Sequence, residues 1–590
     1  MTEKRSICPW LSLADSRLSE SALACVPSGL RLQALDSELS NIEKALYHAR
    51  QLRNLKTGPC KLPAEVLVSV FEYVQTEWPP LRRPSEERDT FDAGWMSLAH
   101  VCSKWREILI GVPSLWSKPT LNTFDIPHQY IPDILFRARL NPLDLELDYT
   151  GGSDTVLNDI GANAWLSPSV LRRARRLDIT AGEDVISLIA TRLYLVHETD
   201  QLRDLRVSTL FANGNPDLPI PFQTLSGVKR LHLCNCQISW QSPIFSRHVT
   251  HLHLSQRSGG FRPSYGEMAA LAALLESLQT LHLADVVPIA GPTPDQSIPI
   301  VLSASLRDLQ IFVNNEETAM DGLIFISQVI APRQCPRQFV LPSLDESPPP
   351  LNVALVDTAL ERLIPRLSFT GCHAIDARYL DLGPSSMWIV GFEAEPQGSA
   401  AQLPPSSPHD ARYTEGYLEI PSSEAPDPFC LSSYLSLIPL EQLHTLSLDV
   451  VTLRDLCRSQ GWPTLLRAEG VCRVEVAEPS EPQTYKYLVL LLAILLRRHN
   501  RDEGDGPRVL FPHLEVLALP LFEEEAKCHD MKAGIVNLVH ARQELGVPMH
   551  ELVIPLGASE WSVWTTLRPA LKISFIDYPR HSAPFNPMDS

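Results

Sequence analysis

The sequence predicts an α/β repeat region that follows a small all-α module and an N-terminal amphipathic helix. Three observations lead to this fold class: apolar heptads in residues 30–57, two helical apolar patterns in residues 58–118, and a recurring apolar-x-x-apolar-x-apolar pattern in residues 119–590. A chain of 590 residues is too long for one hydrophobic core, since single cores stop growing at roughly 250 to 300 residues. Several structural units are therefore expected.

Composition and charge narrow the class of protein before any motif is considered. Hydrophobic residues make up 44% of the chain and the mean hydropathy is −0.04, which is typical of a folded protein. Acidic residues outnumber basic ones by 69 to 51, giving a net charge of −18, so nucleic acid is not an expected partner. The longest apolar run, residues 487–496, has half of the ~20 residues that cross a bilayer, and it predicts a buried helix instead of a membrane span.

The twelve cysteines are scattered, without a CxxC pair, and the first residues carry no secretory leader pattern. The chain is therefore expected in the cytoplasm, the nucleus or both, with reduced thiols. Neither a metal nor a cofactor is predicted.

Residues 1–29 are expected to be flexible, and residues 30–57 carry a heptad pattern that ends at Gly58-Pro59. The a and d positions of this seam are Leu32, Leu35, Leu39, Ile42, Leu46 and Ala49. Fewer than three full heptads are present, so two interpretations stay open. The segment is either a short coiled coil that pairs two copies of the chain, or one amphipathic helix packed on the following module.

Residues 58–118 predict a helical module with an insertion at residues 75–94. A first helix starts at Leu62-Pro63, and a second follows the insertion with Trp95, Val101 and Trp105 on its apolar side. Gly111-Val112-Pro113 ends this second helix and leaves a closing turn. Many apolar anchors without a polar catalytic cluster favour a docking module.

The order LPAEVLVSVF, LAHVCSKWREIL, VPSLWS resembles the F-box motif, in the form seen in fungal F-box proteins where a leucine heptad precedes it. The resemblance implies docking on a Skp-type adaptor and, through it, on the cullin of a ubiquitin ligase. The adaptor-binding candidates that it implies are Leu62, Pro63, Glu65, Leu67, Phe71, Val101, Cys102, Trp105, Leu115 and Trp116. Part of this set is expected to form the module's own core. The long charged insertion departs from the compact form of the family.

The pattern in residues 119–590 recurs at starts 34, 28, 26, 21, 29 and 28 residues apart from Leu140 onward. This period resembles leucine-rich repeats, which implies a solenoid in which each unit contributes one strand. Further copies begin at Ile364, Leu443, Val471, Leu514 and Met549. Cys236 occupies the Asn/Cys position of the best copy, and a structural role is expected for it. Loops are predicted near residues 341–350 and 394–429, which are rich in proline and serine.

In a strand that reads x-L-x-L-x, the leucines face the core and the alternate residues face outward. The outward positions that we select as candidates for the concave, substrate-binding face are Arg206, Arg230, His232, His251, His253 and His282. His232, His253 and His282 are expected to form a ladder across neighbouring strands. An acidic partner segment, bound more tightly when the histidines protonate, is the hypothesis for this face. A solvated sheet face without a ligand is the alternative.

No phosphate-binding loop, dinucleotide fingerprint, HExxH or GxSxG pattern occurs, so an enzyme is not predicted. The first hypothesis is the substrate-recognition subunit of a Skp-cullin-F-box ubiquitin ligase, with residues 58–118 on the adaptor and the repeats on a protein substrate. The alternative is an interaction scaffold that recruits no ligase. A hydrolase in residues 350–590 is a weaker third hypothesis.

Overall fold

The computed structural model describes residues 8–83, 90–118, 122–149, 160–196, 199–210, 214–257, 262–289, 299–333, 335–342, 353–367, 377–382, 386–392, 414–420, 431–459, 461–476, 485–499, 508–521, 525 and 528–576. The chain divides into two compact units. The first comprises residues 1–179 and 192–202, and the second comprises residues 180–191 and 203–590.

The first unit is mainly helical. Its helices are α1 (Pro9–Leu18), α2 (Arg31–Leu55), α3 (Gly58–Lys61), α4 (Ala64–Glu77), α5 (Ser103–Gly111), α6 (Pro113–Trp116), α7 (Ile131–Ala138), α8 (Ile160–Trp165) and α9 (Pro168–Leu171). Its strands are β1 (Leu81–Arg83), β2 (Thr90–Asp92), β3 (Leu143–Tyr149) and β4 (Ala174–Ala181). Short 3-10 helices lie at Ser28–Leu30, Gly94–His100, Thr123–Asp125 and His128–Tyr130.

The heptad segment is one continuous helix of 25 residues, α2. Its seam is open to solvent in this unit: Leu32 is 71% exposed, Leu39 49% and Leu46 50%. The alternative in which this face packs on the following module therefore does not hold for these three residues. Within the N-terminal segment, Pro9–Leu18 forms helix α1, which has a proline at its first position and no buried residue.

The second unit is an α/β region. Its helices are α10 (Glu183–Tyr194), α11 (Ile220–Gln223), α12 (Tyr265–Leu274), α13 (Ala319–Gln328), α14 (Val353–Leu367), α15 (Val450–Ser459), α16 (Trp462–Leu465), α17 (Tyr485–Leu496), α18 (His529–Glu544) and α19 (Val563–Leu567). The 3-10 helices are Glu316–Thr318, Leu431–Leu437, Leu440–Gln442 and Leu556–Ala558.

Its strands are β5 (Asp204–Thr209), β6 (Arg230–Cys234), β7 (His251–Ser255), β8 (Thr280–Ala284), β9 (Ile300–Val301), β10 (Asp308–Phe312), β11 (Val329–Ile330), β12 (Arg337–Val340), β13 (Ala377–Leu382), β14 (Ser386–Phe392), β15 (Thr414–Glu419), β16 (Thr445–Leu448), β17 (Arg473–Val476), β18 (Arg498–His499), β19 (Arg508–Val509), β20 (Val516–Ala518), β21 (Glu551–Pro555) and β22 (Lys572–Ile576).

The main sheet of this unit runs in the order β5-β6-β7-β8-β10-β12-β15-β14-β13-β16-β17-β20-β21-β22. Neighbouring strands are parallel, except that β14 pairs antiparallel with both β13 and β15. The chain thus leaves β12, crosses two strands to form β13, and returns through β14 to pair β15 with β12. This three-strand meander interrupts the regular strand-after-strand progression.

The recurring apolar pattern marks eleven strands correctly, which are β3 to β8, β10, β16, β17, β20 and β21. The copy at Ile364 is wrong, since Ile364 and Leu367 are buried on helix α14. The loop prediction for residues 394–429 is wrong for Thr414–Glu419, which is a strand. Residue 420 is the only other residue of that stretch that the structure describes. Of the other predicted loop, residues 343–350 lie outside the described residues.

The long apolar run forms α17, whose Leu488, Leu491, Leu492 and Leu495 are buried, as predicted. Among the helices of the described ranges, none combines the length and the apolar character that crossing a membrane requires.

Two strands of the second unit, β6 and β8, are each followed by a turn of the same kind. Asn235 follows β6 with φ 55°, and Asp285 follows β8 with φ 56°, a conformation that short polar residues tolerate better than most. The Asn235 side chain accepts a hydrogen bond from the Arg257 backbone N–H at 3.1 Å. The Asp285 carboxylate accepts the N–H of Asn315 at 3.2 Å. These turns tie each strand end to the next one or two strands and fix the register of the outward side chains.

Candidate functional site

Aromatic side chains hold the helical module of residues 58–118 together. Phe71 and Trp105 meet edge to face with their ring centroids 5.3 Å apart, and the rings of Trp95 and Trp116 lie 5.0 Å apart. The Trp116 indole N–H donates to the Leu109 carbonyl oxygen at 2.7 Å, so this buried polar group is satisfied. The module therefore has a specific core of its own.

The insertion at residues 75–94 folds back onto the module. β1 and β2 pair antiparallel in it, while residues 84–89 lie outside the described part of the chain. Gly94 has φ +51°, and a Cβ at this position would lie 2.6 Å from the Pro79 carbonyl carbon, so only glycine fits. The next residue, Trp95, donates its backbone N–H to the Trp78 carbonyl at 2.8 Å. This close approach places the Trp95 ring in the core.

The predicted second helix is divided in two. Gly94–His100 is a 3-10 helix, and α5 begins only at Ser103. Cys102 is the reason, because it has an extended backbone and its Sγ accepts the Trp105 N–H at 3.5 Å, which makes it the N-cap of α5.

Burial divides the ten predicted adaptor-binding residues into buried, exposed and half-buried ones. Five are buried in the module and form its core, so they are not available to a partner: Leu67, Phe71, Cys102, Leu115 and Trp116. Four are exposed: Leu62, Pro63, Glu65 and Val101. Trp105 is half-buried. Its indole Nε1 is buried and has no hydrogen-bond partner within the described ranges.

A second apolar line runs along the exposed side of α4, and of its residues only Leu62, just before the helix, was among the predicted adaptor-binding residues. Leu62, Val66, Val70 and Tyr73 are 38%, 44%, 41% and 68% exposed, and we call them the outer row. The spacing of Val66, Val70 and Tyr73 by four and three residues places them along one side of α4, away from buried Phe71, and Leu62 lies just before this helix. These apolar residues are visible in the sequence, but the prediction followed the more strongly apolar stripe through Leu67 and Phe71.

One lysine joins the outer row to the N-terminus of α5. The Lys104 ammonium donates to the backbone carbonyls of Cys60 at 2.7 Å and Leu62 at 2.9 Å. The exposed Val101, 57% accessible, precedes this helix. Lys104 therefore ties the backbone at Leu62 to the start of α5, which Val101 precedes. We call the outer row together with Val101 the docking edge.

In the second unit, the predicted histidine ladder is present. Parallel pairing aligns Arg206, His232, His253, His282 and Gln310 across β5 to β10. The rings of His232 and His253 are stacked with centroids 3.9 Å apart, and His282 meets His253 edge to face at 5.5 Å. We call His232, His253 and His282 the histidine row. A partner would meet a row of ring edges and faces there.

The charges beside the histidine row largely balance each other. Asp204 lies 3.7 Å from Arg206 and 3.8 Å from Arg230, and the His282 Nε2 lies 2.8 Å from an Asp308 carboxylate oxygen. The six predicted face residues thus lie on neighbouring strands, next to the carboxylates of Asp204 and Asp308 at outward positions of the same face. A strongly basic surface for an acidic partner is not formed.

Burial also opposes protonation of His253, the middle ring of the ladder. Desolvation, with the nearby His232 and His282, lowers the pKa of His253 to about 3. Burial and Arg230 likewise lower the pKa of His251. The hypothesis that protonated histidines strengthen binding is therefore wrong for His253, which stays neutral near pH 7.

This shift has a measurable consequence for stability. Because the pKa of His253 in the folded chain lies below its ordinary 6.5, the unfolded chain takes up this proton first as the pH falls. We expect the free energy of unfolding to decrease by about 1 kcal/mol per pH unit between pH 6 and pH 4 on account of this group. The chemical-unfolding midpoint should therefore fall less in His253→Gln than in the unmodified chain between these pH values. An equal fall in both would contradict the assignment.

The polar face does not continue along the whole sheet. Strands β16, β17, β20 and β21 are buried on both faces, and Arg473 and Glu475 of β17 form a buried ion pair at 2.5 Å. The candidate face is thus confined to the first strands of the unit. Within the described ranges, no group of three or more His, Cys, Asp or Glu side chains is placed to hold a metal ion.

Cys236 has the structural role expected of it. It is buried, its Sγ lies 2.9 Å from the Thr209 hydroxyl, and its thiol donates to the Cys234 carbonyl at 3.3 Å. Burial raises the pKa of this thiol to about 11, so it is neutral and unreactive near pH 7.

Comparison with known proteins bears on the helical module. No curated protein matches the chain. The family model described as F-box-like matches residues 59–122, which covers α3 to α6 with the folded insertion between them. This match confirms the resemblance drawn from the LPAE, VCSKW and PSLW segments: residues 59–122 form an F-box-like domain.

Proposed function

We propose that this chain is a substrate receptor of a Skp-cullin-F-box ubiquitin ligase, in which the docking edge binds a Skp-type adaptor. The single observation that carries this proposal is the F-box-like match over residues 59–122, since F-box domains bind Skp-type adaptors. F-box proteins are typically non-catalytic, so the chain would contribute positioning while other subunits transfer ubiquitin.

The exposed apolar residues of the docking edge support this assignment. A partner-free helix that shows Val66, Val70 and Tyr73 to water leaves apolar area that a docked protein would bury. Leu62 and Val101 extend the same edge, and their backbone segments are joined through Lys104. Adaptor binding through these side chains would leave the aromatic core intact.

We also propose that a protein substrate binds to the polar face formed by β5, β6, β7, β8 and β10. This face offers neutral imidazole rings, the guanidinium groups of Arg206 and Arg230, and the carboxylates of Asp204 and Asp308. Such a mixed surface suits a folded protein partner with hydrogen-bonding groups of both kinds better than a uniformly acidic segment. The parallel strand progression here is also what a leucine-rich-repeat solenoid would have, and that classification belongs to the proposal.

The pairing of two chains through α2 belongs to the proposal as well. The seam through Leu32, Leu39 and Leu46 is exposed, and a coiled coil of two such helices would bury it. The cytoplasm or nucleus is the expected location, because ligases of this class act there and thiols stay reduced.

Co-expression of the full chain with a Skp-type adaptor tests the proposal. Size-exclusion chromatography with light scattering should give a stable complex containing one adaptor per chain, and a doubled mass would indicate pairing through α2. A folded chain that elutes without the adaptor would overturn the assignment of the docking edge.

An interaction scaffold without a ligase is the second candidate, and the balanced polar face of β5 to β10 is compatible with it. The two functions differ in cullin association. A receptor should capture the cullin through the adaptor and lose it together with the adaptor, whereas a scaffold should bind its partners with the same affinity in either case.

A further inference from the structure

Two thiols lie in contact beneath the docking edge. The Sγ atoms of Cys60 on α3 and Cys102 at the start of α5 are 3.7 Å apart, although 42 positions separate the two residues in the chain. A disulfide has an S–S distance of about 2.05 Å, so the sulfurs need to approach by less than 2 Å. Side-chain rotation can supply a movement of that size.

We propose that Cys60 and Cys102 are an oxidisable pair, which forms an intramolecular disulfide when the chain meets a peroxide. This modification site is independent of the function proposed above. In the first step one thiol releases its proton, the thiolate attacks a peroxide oxygen and the O–O bond breaks, which gives a sulfenic acid and a hydroxide that takes up the proton to form water. In the second step the other thiol also releases its proton and its thiolate attacks the sulfenic sulfur; the S–S bond forms, the S–O bond breaks, and the leaving hydroxide takes up that proton as a second water. Two thiols are oxidised and one hydrogen peroxide is reduced to two waters.

A neighbouring thiol and access from the surface distinguish this pair from the other buried cysteines, whereas acidity does not, since burial also raises the pKa of the Cys102 thiol. Cys60 and Cys102 are 8% and 9% exposed, so both lie just beneath the surface and within reach of a small oxidant. Cys335, by contrast, is fully buried and its thiol points to the Pro336 carbonyl at 3.3 Å. The Sγ of Cys236 is likewise engaged by Thr209.

The bond would join two segments that the fold already brings together. Lys104 ties the carbonyls of Cys60 and Leu62 to α5, and Cys102 caps the same helix. A covalent link would therefore close a loop that contains all of α4 and the insertion, and restrict local opening of this loop. The edge that carries Leu62 and Val101 would become more rigid.

Peptide mapping of the oxidised full chain tests the pair directly. The exposed Cys8 and Cys25 are first replaced by serine, so that they do not exchange with the pair. After brief treatment with hydrogen peroxide, free thiols are blocked with N-ethylmaleimide in acid and the chain is digested with trypsin. We expect residues 57–61 and 89–104 to appear as one linked species that dithiothreitol separates.

The folded state must direct the link, so the same oxidation is run in guanidinium chloride. We expect the 60–102 link to form at least about tenfold faster in the folded chain. Amide hydrogen exchange of Ala64–Glu77 should slow by about tenfold or more after oxidation. Recovery of both cysteines as maleimide adducts, or equal linking in the unfolded chain, would overturn the proposal. Because no adaptor is present, failure here is distinct from failure of adaptor binding.

Discussion

Replacing Val66 and Val70 together by lysine is expected to weaken adaptor binding by at least about 100-fold while the module stays folded. Both side chains are more than two-fifths exposed in the chain alone, so lysine is accommodated there at little cost. In a complex, the change removes two apolar contacts and places two ammonium groups in an interface. A loss of about 3 kcal/mol in binding free energy corresponds to that factor. Titration calorimetry with a purified Skp-type adaptor measures it.

Glu72→Lys is the matched control for this variant. Glu72 is exposed on the same helix, and two residues along a helix turn the side chain by about 200° from the Val70 side. This variant also adds a lysine, so it separates a general charge effect from a contact effect. Unchanged adaptor affinity in the double variant would show that the outer row is not the docking surface.

Strand positions in the second unit could be predicted because their burial depends on a local pattern. The leucines of β6 and β7 face the core at every second position, and the sequence shows this alternation directly. The pattern failed at Ile364 because a buried helix can present apolar residues three apart, just as a repeat strand does. The meander of β13 to β15 could not be predicted, since strand order depends on contacts between distant segments.

In the candidate sites, too, features set by a local pattern could be predicted, whereas features set by contacts between distant segments could not. The histidine row follows from strand register, which the repeat spacing fixes, so all three rings were placed correctly. Their protonation could not be predicted, because the pKa of His253 depends on burial and on neighbours from other strands. In the module, the motif identified the right segments but not the sides of the helices. Phe71 and Tyr73 both fit an adaptor contact by type, and only the packing of the insertion and α5 separates them.

Phe71→Ala is expected to destabilise the module by about 3 to 5 kcal/mol, because Phe71 is fully buried and its ring packs edge to face on Trp105. The cavity left behind is enclosed by helices that cannot collapse freely. Hydrogen exchange of Ala64–Glu77 in the full chain measures the change, since local opening reports on the stability of this module alone.

Tyr73→Ala is the counterpart that makes this result interpretable. Tyr73 lies two residues further along α4 and is 68% exposed, so its removal should change the stability of the module by less than about 1 kcal/mol. If the outer row binds the adaptor, Tyr73→Ala weakens binding in a folded module, whereas Phe71→Ala weakens binding only by unfolding it. Normal exchange rates together with lost binding in Phe71→Ala would place Phe71 in the interface and refute this division of α4 into a core side and a docking side.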